Sequence, residues 1–177
     1  MMVNCSHRSE SGGQSKETSR QPIIAVIGGR ECDEEIRQFA YLVGKGIAER
    51  GAILLCGGKN GVMEAASHGA FDAGGLTLGI LTGEDDSEAN SFVKIVIPTG
   101  IGVARNSIII RTCDAAIAVG GKYGTLSEIA YCLQFGKRVC SLKSWAIDGV
   151  VQVKTPEEAL KFVFADISKH SESSGFK

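Results

Sequence analysis

The chain has 177 residues, a length that suits one domain, and its 44% hydrophobic and 22% charged residues are typical of a protein with an ordinary apolar core. The formal net charge of −1 provides no overall attraction to nucleic acid or to an anionic membrane surface. No apolar run approaches the roughly 20 residues that a bilayer-spanning helix requires. We therefore expect a cytoplasmic protein with no nucleic-acid or membrane partner, in which any anion site is local.

The two ends of the chain differ in composition from its middle. Residues 1–21 are rich in Ser, Gly and charge and lack the apolar segment of a secretory signal, which predicts a disordered tail. A flexible tail is predicted over residues 169–177, and a single domain over residues 22–168. None of the 6 cysteines forms a CxxC pair and no histidine pair has zinc-ligand spacing, so no metal site is predicted.

Between the tails, apolar runs rich in β-branched residues alternate with amphipathic segments. The apolar runs predict strands at residues 23–29, 52–56, 76–81, 93–97, 114–119, 138–142 and 150–153. The amphipathic segments predict helices at residues 33–50, 62–73, 102–113, 125–136 and 155–167. This alternation is typical of an α/β fold with a doubly wound parallel sheet of six to seven strands and three layers.

Gly-rich loops follow three of the predicted strands, at Gly28–Gly29, Gly57–Gly58 and Gly120–Gly121. In an open parallel sheet, ligands bind beyond the carboxyl ends of the strands, at the point where the strand order reverses. The third loop leads directly into a helix, whose N-terminal N–H groups and dipole favour an anion, and glycine lets the backbone approach a ligand closely. The sequence therefore predicts a site for a phosphorylated small molecule.

The segment DAAIAVGGKYGTLSE, residues 114–128, resembles the PGGxGTxxE signature of the LOG-type proteins, a family long described as lysine decarboxylases. The segment CGGKNGVMEAA, residues 56–66, is similar to the first Gly-rich loop of that family. Arg105 and Arg111 stand before the motif strand, where the family has two arginines. The segments GVMEAA, IPTGIGVARN and GTLSEIA are most similar to the branch of molybdenum cofactor carrier proteins.

This resemblance implies a Rossmann-like fold and a ligand site at the interface of a homo-oligomer, either a dimer or a tetramer. The carrier branch binds the molybdenum cofactor, a pterin with a terminal phosphate. LOG-type phosphoribohydrolases instead cleave the N-glycosidic bond of nucleoside 5′-monophosphates, releasing the base and ribose 5-phosphate. Their functional arginine and glutamate match Arg105 and Glu128, which would be catalytic if this chain is a hydrolase.

Two positions depart from the hydrolase signature, because Gly120 and Lys122 stand where the hydrolases have Pro and Gly. We therefore expect a binding protein for a phosphorylated heterocycle, either the molybdenum cofactor or a nucleoside monophosphate, with no required cofactor. The hydrolase is the alternative. The expected ligand-binding residues lie in and beside the Gly-rich loops: Gly28, Gly29, Gly57, Gly58, Asn60, Gly61, Met63, Thr99, Gly100, Arg105, Gly120, Gly121, Lys122, Tyr123, Gly124, Thr125 and Glu128.

Several of these side chains also fit purely structural roles. The spacing of Thr125 and Glu128 fits a capping box, in which the carboxylate would accept from the Thr125 N–H, and contact with ligand hydroxyls is the other reading. Asn60 fits the N-cap of the second helix. Arg111 fits a helix C-terminal or ion-pair contact beside Asp114, with a ligand contact as the second reading. Lys122 has two readings, a phosphate contact or a solvent-exposed side chain.

Four features outside this set have their own expectations. Arg30 ends the first strand and would face the base or pterin. The acidic loop over residues 82–91 is expected to be solvated, because it lacks the spacing of a calcium loop. Trp145 is expected in the core or at an interface, and His68 is expected to be structural.

Overall fold

A single sheet of seven parallel strands forms the centre of the molecule in a computed structural model that describes residues 20–165. The strands are β1 (Ile23–Gly28), β2 (Ile53–Cys56), β3 (Thr77–Leu81), β4 (Ile95–Pro98), β5 (Ala115–Val119), β6 (Arg138–Leu142) and β7 (Val151–Val153). The helices are α1 (Glu34–Glu49), α2 (Val62–Asp72), α3 (Asn106–Thr112), α4 (Tyr123–Gln134) and α5 (Pro156–Phe164).

The strand order is β4-β3-β2-β1-β5-β6-β7, and every neighbouring pair is parallel. The chain builds outward from β1 to β4 and then returns to place β5 on the other side of β1. The order therefore reverses between β1 and β5, which is where a doubly wound sheet leaves a crevice.

Alternate residues of the central strands feed two separate cores. Ile24 and Val26 of β1 pack in the core formed with α1, α2 and α5. Ala25 and Ile27 pack in the core formed with α3 and α4. Because successive side chains of a strand point to opposite faces, the near-continuous apolar run of β1 requires helices on both faces of the sheet. The predicted three-layer α/β fold is confirmed.

The segment predicted as one helix over residues 102–113 has two parts. A 3₁₀ turn covers Gly102–Arg105 and continues directly into α3. Gly102 has a φ of 58°, which a regular α-helix does not accommodate. The tighter turn ends at Arg105, and this position brings the arginine side chain to the crevice.

The expected tails fall mostly outside the described residues. Residues 1–19 and 166–177 lie outside them, and the end of the helix predicted to reach residue 167 lies there as well. Arg20 and Gln21, both assigned to the N-terminal tail, contact the domain. Arg20 Nη2 lies 2.6 Å from Asp114 Oδ1, and Gln21 Nε2 donates to the carbonyl of Gly51. No helix within residues 20–165 is both long and apolar enough to cross a membrane.

Helices α1 and α2 pack through glycines that allow their backbones to meet. A Cβ on Gly44 of α1 would lie 1.9 Å from the carbonyl oxygen of Ala66. A Cβ on Gly69 of α2 would lie 2.0 Å from the carbonyl oxygen of Tyr41. Neither oxygen can move without its helix, so these two glycines set the distance between the helices. This packing fixes the position of α2 above the sheet.

We expect Gly44→Ala to lower the free energy of unfolding by about 1–3 kcal/mol, because the added methyl forces α1 and α2 apart. That loss exceeds the gain of about 1 kcal/mol in helix propensity from replacing Gly with Ala. Urea denaturation provides the measurement. Gly124→Ala is the control, since a Cβ there meets nothing within 4 Å and should not reduce stability. A Gly44→Ala protein as stable as wild type would contradict the packing described here.

Candidate functional site

A cavity of about 350 Å³ opens where the carboxyl ends of β1, β2, β3 and β5 meet, at the reversal of strand order. It is lined by Gly28, Gly29, Gly57, Met63, Arg105, Lys122, Gly124, Thr125 and Glu128 from the expected set. It is also lined by Arg30, which was expected to face the base. The sequence-derived residues therefore converge on one site from four strands.

Other expected residues shape the loops without lining the cavity: Gly58, Asn60, Gly61, Thr99, Gly100, Gly120, Gly121 and Tyr123. Thr99 Oγ1 donates to the carbonyl of Leu81 at 2.7 Å and so fixes the chain after β4. Gly61 has a φ of 71°, and a Cβ there would lie 2.4 Å from the backbone of Arg30. Gly61 therefore lets the start of α2 pack against the loop after β1.

The expected N-cap role of Asn60 is wrong. The N-cap of α2 is Gly61, no side chain caps this helix, and Asn60 is exposed. Glycine occupies the cap because the close approach to Arg30 leaves no room for a side chain. The N–H of Val62 instead donates to the carbonyl of Gly29 at 3.0 Å, so that backbone replaces the side-chain cap.

A buried ion pair, Arg105 with Glu128, forms the inner wall of the cavity. Both residues are 6% exposed, and Arg105 Nη1 lies 3.6 Å from Glu128 Oε1, longer than a normal hydrogen bond. Arg105 Nη1 also donates to Asn106 Oδ1 at 3.0 Å. Its Nε is buried and has no hydrogen-bond partner among the described residues. Arg105 therefore keeps an unused hydrogen-bond donor in the wall of the cavity.

Burial controls the ionisation of this pair. Burial raises the pKa of Glu128 to about 7, and the nearby charge of Arg105 only partly opposes that rise. Burial also lowers the pKa of Arg105, against the favourable charge of Glu128. A carboxyl that titrates near neutrality can give or accept a proton at physiological pH, so Glu128 has the ionisation expected of a general acid or base.

Gly57 is the reason that Arg105 fits. A Cβ on Gly57 would lie 2.3 Å from Arg105 Nη2 and 2.7 Å from Met63 Sδ. Arg105 Nη2 also donates to the Gly57 carbonyl at 3.4 Å. The glycine of the second loop therefore makes space for a guanidinium that arrives from the chain after β4.

The turn after β5 forms the other wall. Gly120 and Gly121 have φ values of 52° and 95°, which bring the chain round so that α4 begins at Tyr123. Lys122 is the N-cap, its backbone is extended, and no side chain caps this helix. Within residues 20–165, no side-chain cap satisfies the first N–H groups of α4, which therefore meet the conditions for binding an anion.

The capping box expected of Thr125 and Glu128 is wrong. The helix starts two residues before Thr125, so Thr125 lies within the first turn and Glu128 lies in the second. Thr125 is 2% exposed, its Oγ1 has no hydrogen-bond partner among the described residues, and the residue lines the cavity. Glu128 faces Arg105 instead of the helix terminus.

The cavity rim carries charges of both signs. Lys122 Nζ lies 3.5 Å from Glu31 Oε2, and both side chains are exposed. Arg30 Nη2 lies 3.9 Å from Glu88 Oε1. Lys122 therefore extends along the mouth of the cavity toward the loop after β1.

The acidic loop is not simply solvated. Glu88 forms an ion pair with Lys59, which is buried, and this pairing lowers the pKa of Glu88. Asn90 Nδ2 donates to the carbonyls of Gly58 and Lys59, both at 3.0 Å. The loop is thus fastened to the second Gly-rich loop. The sequence did not predict this attachment, because the loop has a charged composition and the burial of Lys59 depends on contacts between distant segments.

Other lining residues were missed by sequence reasoning: Val26, Ile27, Glu31, Thr82, Val103 and Asn106. Asn106 joins the two walls, because its Oδ1 accepts from Arg105 and its Nδ2 donates to Ser127 Oγ at 3.0 Å. The sequence signal for Asn106 as a site residue was its position directly after Arg105, in the ARN segment. Val103 projects from the 3₁₀ turn, whose geometry the sequence did not reveal.

Two other residues with expected roles lie away from this site. Arg111 does not pair with Asp114 as expected, because its guanidinium lies 4.1 Å from the centroid of the Phe135 ring and Asp114 pairs with Arg20. His68 stacks on Phe92 at 4.1 Å, a structural contact. Within residues 20–165, no group of three or more His, Cys, Asp or Glu side chains could hold a metal ion.

Comparison with known proteins agrees with this geometry. The model of the SLOG cluster4 family matches residues 21–170. An uncharacterized protein of Archaeoglobus fulgidus is 50% identical over 147 residues, covering 82% of this chain and 97% of that protein.

Two solved structures are also similar. The molybdenum cofactor binding protein of Rippkaea orientalis is 38% identical with a TM-score of 0.80, over 84% of this chain and 98% of that chain. The Moco carrier protein of Chlamydomonas reinhardtii is 35% identical with a TM-score of 0.76, over 84% of this chain and 100% of that chain. The expected place in a LOG-like family, close to the carrier branch, is confirmed.

The raised pKa of Glu128 predicts a specific pH dependence of stability. Between about pH 4.5 and 7, the native state holds a proton that the unfolded chain has released, so the free energy of unfolding falls as pH rises through about 7. Glu128→Gln removes this dependence. Between pH 5 and pH 8, wild type should lose roughly 2.5 kcal/mol more than the variant in urea denaturation.

Glu31→Gln is the matched control, because the Glu31 side chain also lines the cavity but is 85% exposed. It should follow the pH dependence of the wild type. Equal pH slopes for wild type and Glu128→Gln would refute the raised pKa.

Proposed function

This chain belongs to the SLOG cluster4 family, and from that membership and the site geometry we propose that it binds a phosphorylated heterocyclic ligand, the molybdenum cofactor, without turnover. The observation that carries the proposal has two parts that meet in one place. The N-terminus of α4 has no side-chain cap, and buried polar atoms beside it have no hydrogen-bond partner among the described residues. Thr125 and Arg105 both line one cavity, and each has a buried polar atom, Oγ1 and Nε respectively, with no hydrogen-bond partner within residues 20–165. Buried polar atoms are costly when unpaired, so a ligand that pairs with them gains affinity.

The electrostatics of the site favour phosphate at α4. The N–H groups of the first turn and the helix dipole supply a local positive potential, which a protein with a net charge of −1 does not supply overall. Lys122 at the rim adds a mobile positive charge. Glu128 lies deeper, against Arg105, so the protein carboxylate and the ligand phosphate occupy separate positions.

The dimensions of the cavity suit an elongated ligand. The lining runs from β5 across β1 and β2 to Thr82 at the end of β3, which is three strand spacings or about 14 Å. Ile27, Met63 and Val103 provide apolar surface along this path. A ligand with phosphate at α4 would therefore place its ring system over these side chains, as a tricyclic pterin or a nucleoside monophosphate requires.

The solved relatives support the choice of ligand. One is a molybdenum cofactor binding protein and the other is a Moco carrier protein, and each is more than a third identical to this chain. The exposed apolar side chains beside the mouth support the expected homo-oligomer. Val103 and Tyr123 are both 80% exposed, and a second copy could cover them.

The direct test is to incubate the purified protein with molybdenum cofactor released from a molybdoenzyme and to separate bound from free by gel filtration. We expect molybdenum, measured by mass spectrometry, to elute with the protein. The elution volume of the protein also reports its oligomeric state. Lys122→Ala should weaken retention roughly 2- to 5-fold, as expected for loss of one exposed charge of up to about 1 kcal/mol.

Lys45→Ala is the matched control, since Lys45 also forms an exposed ion pair, with Glu49, but lies on α1 outside the cavity. It should retain the cofactor as wild type does. A wild-type protein that retains no molybdenum would contradict the proposal that the molybdenum cofactor is the ligand.

One observation favours hydrolysis as a second candidate function. Glu128 is buried beside Arg105 and has a pKa of about 7, so it could activate water or stabilise positive charge that develops on a ribose. In that case a nucleoside 5′-monophosphate would occupy the same cavity, with its phosphate at α4 and its ribose toward Glu128.

The hydrolase candidate predicts release of free base when the protein is incubated with a panel of nucleoside 5′-monophosphates, followed by chromatography. Glu128→Gln should then reduce the rate by at least about 100-fold, the contribution expected of a general acid or base. Glu31→Gln should leave the rate within a factor of two or so, given that its side chain is solvated. No base release by wild type from any nucleotide would exclude this activity.

A further inference from the structure

The turn that begins the anion site is held by a neighbouring segment that plays no part in the function proposed above. Lys143, Ser144 and Trp145 directly follow β6, the strand next to β5 in the sheet. Ser144 Oγ donates to the carbonyl of Gly120. Trp145 Nε1 donates to the carbonyl of Lys122 at 3.2 Å. Two successive side chains thus bind alternate carbonyls of the turn between β5 and α4.

We propose that Ser144 and Trp145 are positioning residues for phosphate, setting the affinity of the α4 terminus by fixing its peptide planes. This inference rests on the proposed function, in which phosphate binds at that terminus. The C=O and N–H of a trans peptide point in opposite directions. Holding the carbonyls of Gly120 and Lys122 therefore aims the N–H groups of Gly121 and Tyr123 away from the Ser144–Trp145 segment.

The Lys122 carbonyl is held from two sides. It accepts the first helical hydrogen bond of α4, from the N–H of Leu126 at 3.0 Å, as well as the indole N–H. Both lone pairs of this oxygen are thus engaged. The N-cap peptide cannot rotate without breaking two hydrogen bonds, so the N–H of Tyr123 stays directed out of the helix terminus.

The turn needs this support because its own sequence provides little. Gly120 and Gly121 have φ values of 52° and 95°, and glycine has the largest conformational freedom of any residue. Without external bonds, such a turn would sample other peptide orientations, and binding would carry the entropic cost of ordering it.

The backbone conformation at Lys143 places Ser144 and Trp145 beside the turn that they hold. Lys143 is the non-glycine residue with a positive φ, 54°, among residues 20–165. A lysine in that conformation costs about 1–2 kcal/mol. The turn at Lys143 ends β6 sharply and directs the next two side chains toward the loop after β5.

Other observations point to a ligand at this terminus. Thr125, in the first turn of α4, is 2% exposed, lines the cavity, and has an Oγ1 with no partner among the described residues. The N–H of Tyr123 and this hydroxyl belong to the first turn of α4, and the N–H of Gly121 lies in the turn directly before it. The segment after β6 therefore acts on the ligand only through the peptide groups that it holds.

The test is a titration of 15N-labelled full-length protein with orthophosphate at constant ionic strength, followed by amide chemical shifts. In wild type, the amides of Gly121, Tyr123 and Gly124 should shift saturably. Trp145→Phe keeps an aromatic ring but removes the N–H, and Ser144→Ala removes the hydroxyl. Each variant should raise the phosphate Kd roughly 3- to 10-fold, the loss expected for one hydrogen bond.

Two further variants separate positioning from general damage. Ser144→Thr keeps a hydroxyl and should restore the wild-type Kd. Thr112→Val removes a hydroxyl that donates to the Ile108 carbonyl at 2.7 Å in α3, outside the cavity, and should leave the Kd unchanged. A Kd that rises equally in Thr112→Val would show a general structural effect and overturn the inference.

The outcomes distinguish this inference from the function on which it rests. Saturable wild-type shifts with unchanged Kd values in Trp145→Phe and Ser144→Ala would overturn the positioning role alone. A wild-type protein whose turn amides do not respond to phosphate, and which retains no molybdenum cofactor, would overturn both. Weakened binding in both variants, restored in Ser144→Thr, is the expected result.

Discussion

The site depends on a guanidinium buried at the centre of the crevice. Arg105 arrives from the chain after β4, yet its contacts join three other parts of the sheet edge: Gly57 after β2, Asn106 at the start of α3 and Glu128 in α4. A buried charge is tolerated only when other groups compensate it. Here the compensation is incomplete, because the ion pair is long and one nitrogen lacks a partner among the described residues. The wall of the cavity is thus stable enough to form but retains donors for a ligand.

The candidate site has a local positive potential although the protein as a whole is nearly neutral. The positive potential comes from a helix terminus, one buried arginine and one exposed lysine, all within a single cavity. The arginine and the lysine are each offset by one carboxylate, which lies too far away or is too exposed to cancel the charge. Glu128 lies at 3.6 Å from Arg105, and Glu31 at 3.5 Å from Lys122.

The sequence was sufficient for features that local pattern determines. Apolar runs located all seven strands, and the alternation of strand and helix predicted the topology, because short connections leave few ways to cover both faces of a parallel sheet. The glycines after β1, β2 and β5 lie at the edge of the sheet where the cavity opens. What failed were capping roles, at Asn60 and at Thr125 with Glu128. Both readings relied on side-chain type, whereas the helix starts were decided by backbone approach at Gly61 and by the φ values at Gly120 and Gly121. Burial of Lys59 and the position of Val103 depend on tertiary contacts and could not be read locally.

The indole of Trp145 has a consequence beyond holding the turn. It is the single tryptophan of the chain, and its N–H is bonded to the N-cap carbonyl of α4, with the Tyr123 ring 6.1 Å away. Indole emission responds to its hydrogen bond and to nearby charge. The protein therefore contains an intrinsic optical reporter beside the turn between β5 and α4, and the state of this turn can be followed in unlabelled material with ultraviolet excitation alone.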